Sequence, residues 1–96
     1  MLSVESIKEI LRPVFKEYNV KNAVLFGSYA KGNATINSDV DICVDSGLKG
    51  LKFFGLLEDV VNVLKLPVDL IDISQIDRDS RVEKEIKNTG VKIYGD

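Results

Sequence analysis

The chain has no histidine and no tryptophan, a single cysteine and only two prolines in 96 residues. Without imidazole, no histidine-containing zinc site and no histidine general base can be built. One thiol cannot close an internal disulfide. Cys43 sits inside the apolar run "DICVD" and reads as a small buried side chain rather than a reactive nucleophile. No apolar run approaches the ~20 residues needed to span a bilayer. The opening "MLSVESIKEI" lacks the basic segment and apolar stretch of a secretory leader, so the cytoplasm is the expected compartment and no membrane partner is expected. The length predicts one domain over residues 1–96, with a modest core.

What is present is ordinary globular material, 45% hydrophobic and 29% charged. The net charge of −2 argues against a surface that coats nucleic acid, and no direct nucleic-acid partner is expected. The charge is unevenly spread. Between Asp39 and Asp72 lie seven acidic residues against three lysines. An acidic centre in a chain without histidine points to a cation held by oxygen ligands.

Apolar periodicity outlines the elements. Val4, Ile7, Leu11, Val14 and Tyr18 recur at helical spacing over Ser3–Tyr18, with Ser6 and Glu9 matching a capping box. Pro13 falls inside this segment and predicts a kink or two short helices. Asn19–Asn22 reads as a turn, and "AVLF" (Ala23–Phe26) as a buried strand ended by Gly27. "DVDICVD" alternates, with Val40, Ile42 and Val44 on one face and Asp39, Asp41, Cys43 and Asp45 on the other. After the loop "SGLKG", Phe53, Leu57, Val60 and Leu64 form a helical stripe over Leu51–Lys65, widened by Phe54 and Val61, and Pro67 follows its end. "VDLIDI" (Val68–Ile73) reads as a third strand. Ser80 and Glu83 cap a helix through Asn88, Gly90 stops it, and "VKIY" adds a last short strand. The fold class is therefore α/β (α+β): a small mixed sheet of three or four strands with helices packed on it.

The chemistry concentrates in "FGSYAKGNATINSDVDI", Phe26–Ile42. Its Gly-x4-Gly spacing invites a phosphate-loop reading, but such a loop needs Lys and Ser or Thr directly after the second glycine, and Asn33 and Ala34 follow Gly32. What remains is a strand that ends in Gly27-Ser28 and leads into one helical turn through Lys31. Glycine lets a ligand approach the backbone closely, and turn amides with the Ser28 hydroxyl make a small anion site. Lys31 either balances phosphate charge or is a solvated turn lysine. Tyr29 reads as packing. Asp39 and Asp41 share one strand face, about 6.5–7 Å apart. Such carboxylates can converge on two hard cations about 3.5–4 Å apart, as in two-metal phosphoryl transfer. A third acid must come from "VDLIDI", where Asp69 and Asp72 point to opposite faces because their spacing is odd. Asp69, between Val68 and Leu70 within the run, is the better placed. Asp72, nearer the end, faces solvent or caps the next turn.

Gly27-Ser28, then Ser38-Asp39-Val40-Asp41, then an aspartate in a later apolar strand, together resemble the signature of the DNA polymerase beta-like nucleotidyltransferase superfamily. The short chain and its "LFGSYAKG" turn resemble the minimal nucleotidyltransferases, which act as antitoxins beside HEPN-domain partners. The likeness covers nearly the whole chain, and the two motif halves at this distance are specific jointly rather than singly. It places the third carboxylate at Asp69. It implies two Mg²⁺ ions on Asp39, Asp41 and Asp69, and ATP phosphates on Gly27 and Ser28, with Lys31 and Ser38 at the same site. It also implies in-line attack of an acceptor hydroxyl on the α-phosphorus with release of pyrophosphate.

Larger members of that superfamily carry an added domain for the acceptor. A chain of this size is expected to take its acceptor pocket from a partner or a second copy, as a homo- or hetero-oligomer. The resemblance implies AMP transfer to a tyrosine of a HEPN ribonuclease toxin, which is thereby silenced. Two alternatives stand beside it: an antitoxin that acts by binding alone, and a nucleotidyltransferase for a small-molecule hydroxyl.

Overall fold

A computed structural model describes residues 2–95. Helix α1, Val4–Glu17, begins at Ser3, whose hydroxyl accepts from the Ser6 amide. The cap is thus one turn earlier than the Ser6–Glu9 pairing predicts, in step with an apolar pattern that starts at Val4. Pro13 lies inside α1 and does not divide it into two helices. Pro13 is exposed, so the Glu9 carbonyl it deprives of a partner can turn to water while the helix continues.

Strand β1 (Asn22–Phe26) begins one residue earlier than expected and runs directly into a five-residue helix, α2 (Gly27–Lys31). Strand β2 covers Val40–Asp45. Helix α3 covers Leu51–Leu64. Its buried stripe is Leu56, Val60 and Leu64, with Phe53 and Leu57 partly buried against the core. Phe54, predicted to widen the stripe, is about half exposed instead, at 47%. The helix is rotated so that Leu56 takes the central place. Strand β3 (Val68–Asp72) leads into a single 3₁₀ turn, Ile73–Gln75. Helix α4 (Arg81–Thr89) begins at Ser80, which accepts from the Glu83 amide, and strand β4 (Val91–Tyr94) closes the chain.

The four strands form one mixed sheet in the order β3-β2-β1-β4. β1 pairs antiparallel with both β2 and β4, and β2 pairs parallel with β3. Register sorts the side chains. Val40, Ile42 and Val44 are fully buried, and beside them lie Ala23 and Leu25 of β1 and Val68 and Leu70 of β3. Together with Ile7, Leu11 and Phe15 of α1 and Leu56 and Val60 of α3 they make one apolar core. Each such side chain fully withdrawn from water contributes about 1.5–3 kcal/mol. Tyr18, at the end of α1, donates to Asp59 Oδ2 of α3 at 2.7 Å, tying the two helices at their surface. The opposite sheet face carries Asp41 and Cys43 of β2 and Asp69 and Ile71 of β3, and is approached by α2 and α4. Among the described residues no helix is long and apolar enough to cross a membrane.

Candidate active site

The site grows from the junction of β1 and α2. Phe26, the last residue of β1, pairs with Asp41 of β2. Gly27 then turns the chain with φ +72°, a backbone state costly for any side chain. The space in which its Cβ would stand is taken by Asp41 Oδ2. Glycine is therefore required here by backbone conformation and by close approach. The N-cap of α2, Phe26, supplies no side-chain acceptor, so no side chain caps the amides of this first turn. Ser28 lies half-buried beside them, and Tyr29 is buried in the core.

Asp41 lies directly beside Asp69 in the parallel register of β2 and β3. The Val40 amide donates to the Pro67 carbonyl at 2.9 Å, which aligns the two strand starts. Asp39 is exposed, on the approach to β2. The turn before it is closed by Ser38, whose amide donates to Thr35 O at 3.0 Å and whose hydroxyl accepts from the Thr35 amide at 2.8 Å. Ser38 thus shapes the loop that delivers Asp39. Lys31, at the end of α2, donates to Glu85 Oε1 of α4 at 3.0 Å.

The electrostatics follow from crowding. Burial, reinforced by repulsion from Asp69, Asp39 and Glu85, pushes the Asp41 carboxyl up to about 6. Cys43, next on the same face, is pushed up to about 11 by burial and by Asp72 and Asp45, which makes its thiol inert. Glu85 is the member of this group that sequence reasoning missed. It lies 44 positions after Asp41 on a surface helix, and only the packing of α4 against α2 brings it here.

Asp72 has a different occupation. It faces the core side of the sheet and is only 4% exposed. Its carboxylate accepts from the amide and hydroxyl of Ser46, at 3.1 and 2.6 Å, and of Ser74, at 3.0 and 2.6 Å. Burial alone would raise its pKa, but these bonds outweigh burial and hold it below the usual carboxylate range. Of the two roles considered for it, Asp72 caps the following turn and does not face solvent.

The donors Asp39, Asp41 and Asp69 suit a hard divalent cation: all are carboxylate oxygens, and burial and the neighbouring acids disfavour the charge on Asp41, which a cation would offset. Among the described residues, however, no three acidic, thiol or imidazole groups stand close enough to hold one ion as they are. The acids form an open shelf rather than a cage. A cavity of about 540 Å³ contains none of them. It lies at the far end of β1 and β4, lined by Lys8, Arg12, Lys21, Lys92 and Tyr94.

The family model described as "Polymerase beta, Nucleotidyltransferase" matches residues 5–96. A Methanocaldococcus jannaschii protein, provisionally named a protein adenylyltransferase, is 43% identical over 79% of this chain and 95% of its own length. Protein adenylyltransferase MntA of Thermococcus cleftensis is 42% identical over 74% of this chain and 79% of its own. A solved toxin–antitoxin structure, MntA–HpeT with two aspartates changed to glutamate, superposes with a TM-score of 0.72 at 26% identity, covering 99% of this chain and 75% of that one.

Proposed function

The chain belongs to the polymerase beta nucleotidyltransferase family, and we propose that it is a protein adenylyltransferase that moves AMP from ATP to a tyrosine of a HEPN-type toxin partner, thereby neutralising it. The observation that carries this reading is the adjacency of Asp41 and Asp69 in register at the Gly27 turn. The adenylyltransferase names of its relatives and the toxin–antitoxin context of the MntA–HpeT structure support the partner. We take residues 1–96 as one catalytic domain. Its use of ATP makes the cytoplasm the working compartment.

Asp39, Asp41 and Asp69 would hold Mg²⁺, which offsets phosphate charge and favours the ionised acceptor hydroxyl when bound. The amides of the first turn of α2, which no side chain caps, would hold the outer phosphates, and Ser28 donates its hydroxyl to them. Lys31 presents an ammonium to the same phosphates. Ser38 keeps Asp39 at the mouth of the site. The acceptor tyrosine oxygen attacks the α-phosphorus in line. The bond from that phosphorus to the bridging oxygen breaks, and pyrophosphate leaves with its electron pair. Asp69, the most open of the acids on β3, takes the tyrosine proton. No protein nucleophile is needed.

The test is to mix the chain with its partner, ATP and Mg²⁺. The partner's mass should rise by one or more AMP groups, and its ribonuclease activity should stay low after the two proteins are separated. An antitoxin that only binds would leave the mass unchanged and release an active ribonuclease. Asp41→Asn should abolish the mass change.

A further inference from the structure

We propose that Glu85 is a positioning residue for the transfer reaction: it holds the Lys31 ammonium at the mouth of the acid shelf, so that incoming triphosphate meets an already oriented cation. The inference rests on the nucleotidyltransferase reading and adds a residue to it. Three observations carry it. Lys31 Nζ stands 3.0 Å from Glu85 Oε1. Both side chains are only partly exposed, 41% and 25%. The pair joins α2, which begins at Gly27, to α4, which packs against both α2 and β1. α2 also packs against β2, the strand that carries Asp41.

An ion pair this exposed contributes little to stability. Its value lies in order. A free lysine side chain samples many rotamers, and fixing it costs binding free energy when a ligand must do so. The ammonium has three donors. One can stay on Glu85 while the others turn to phosphate oxygens. Glu85 itself is anchored in the middle of a nine-residue helix, so it can act as the fixed post.

Calorimetry with α,β-methylene-ATP and Mg²⁺ reads binding without turnover. Glu85→Gln should weaken binding about two- to tenfold, the span set by immobilising one rotamer-rich side chain. In the transfer assay KM for ATP should rise by a similar factor while kcat changes less. Lys31→Ala should weaken binding at least as much, and Lys31→Ala with Glu85→Gln no more than Lys31→Ala alone. The exchange Lys31→Glu with Glu85→Lys rebuilds the pair with the cation on the wrong helix. It should keep the melting temperature near that of the wild type and leave binding weak. If Glu85→Gln melts too low to assay, the exchange decides alone. Binding in Glu85→Gln as tight as in the wild type, or full recovery of binding in the exchange, would overturn the proposal. A wild-type chain that neither binds the nucleotide nor transfers AMP would instead remove the function on which it rests.

Discussion

Asp41 Oδ2 occupies the space in which a side chain at Gly27 would begin. Gly27→Ala therefore meets two penalties, a left-handed backbone and a displaced carboxylate. The expected loss is roughly 1–3 kcal/mol, together with loss of transfer. Denaturant melts check the first and partner mass the second. In an Asp41→Ala background the same substitution should cost less, because only the backbone penalty remains. An undiminished cost there would show that the carboxylate is not the obstacle.

Asp39→Asn and Asp41→Asn should each abolish transfer while the fold is kept or slightly stabilised. For Asp41 the pH dependence gives the sign. Its pKa rises from an ordinary 3.8 to about 6 on folding, so the folded state binds more protons between those values. Stability from this group therefore falls as pH rises from about 4 to about 6. In chelator, the advantage of Asp41→Asn over the wild type should be absent below pH 4 and complete above pH 6. Melts across that window that show no such divergence would remove the crowding.

The two later aspartates should separate cleanly. Asp69→Ala should abolish transfer with little change in stability, since the side chain is exposed. Asp72→Ala strands four donors from Ser46 and Ser74 and should cost about 2–4 kcal/mol. Because the Asp72 pKa is lowered on folding, its stabilisation is present above its ordinary value and lost as pH falls through the folded one. Urea titrations of both variants beside the transfer assay decide this, and the reverse pattern would reverse their roles.

Pro13→Ala tests the helix rather than the site. Proline in a helix interior costs up to about 3 kcal/mol relative to alanine, offset by ~0.4–1 kcal/mol through the unfolded chain. A gain of roughly 2 kcal/mol is expected, with transfer unchanged. A loss of stability would mean that α1 needs proline at this exposed position.

Local pattern determined much of this protein. Alternation in "DVDICVD" alone assigned Val40, Ile42 and Val44 to the core and Asp41 to the other face, because a strand has period two. The same parity set Asp69 and Asp72 apart. Gly27 announced the end of the first strand, and Ser80 a helix start. The rest depended on contacts distant in the chain. The register that puts Asp69 beside Asp41 comes from parallel pairing across 28 positions. The hold of Ser46 on Asp72 comes from a loop 26 residues away. The meeting of Lys31 with Glu85 comes from α4 settling against α2. Even the rotation of α3 that favours Leu56 over Phe54 was chosen by the surface it met. Spacing specifies which way a side chain points along its own element. What it points at depends on how the elements pack, and that was decided only in the folded molecule.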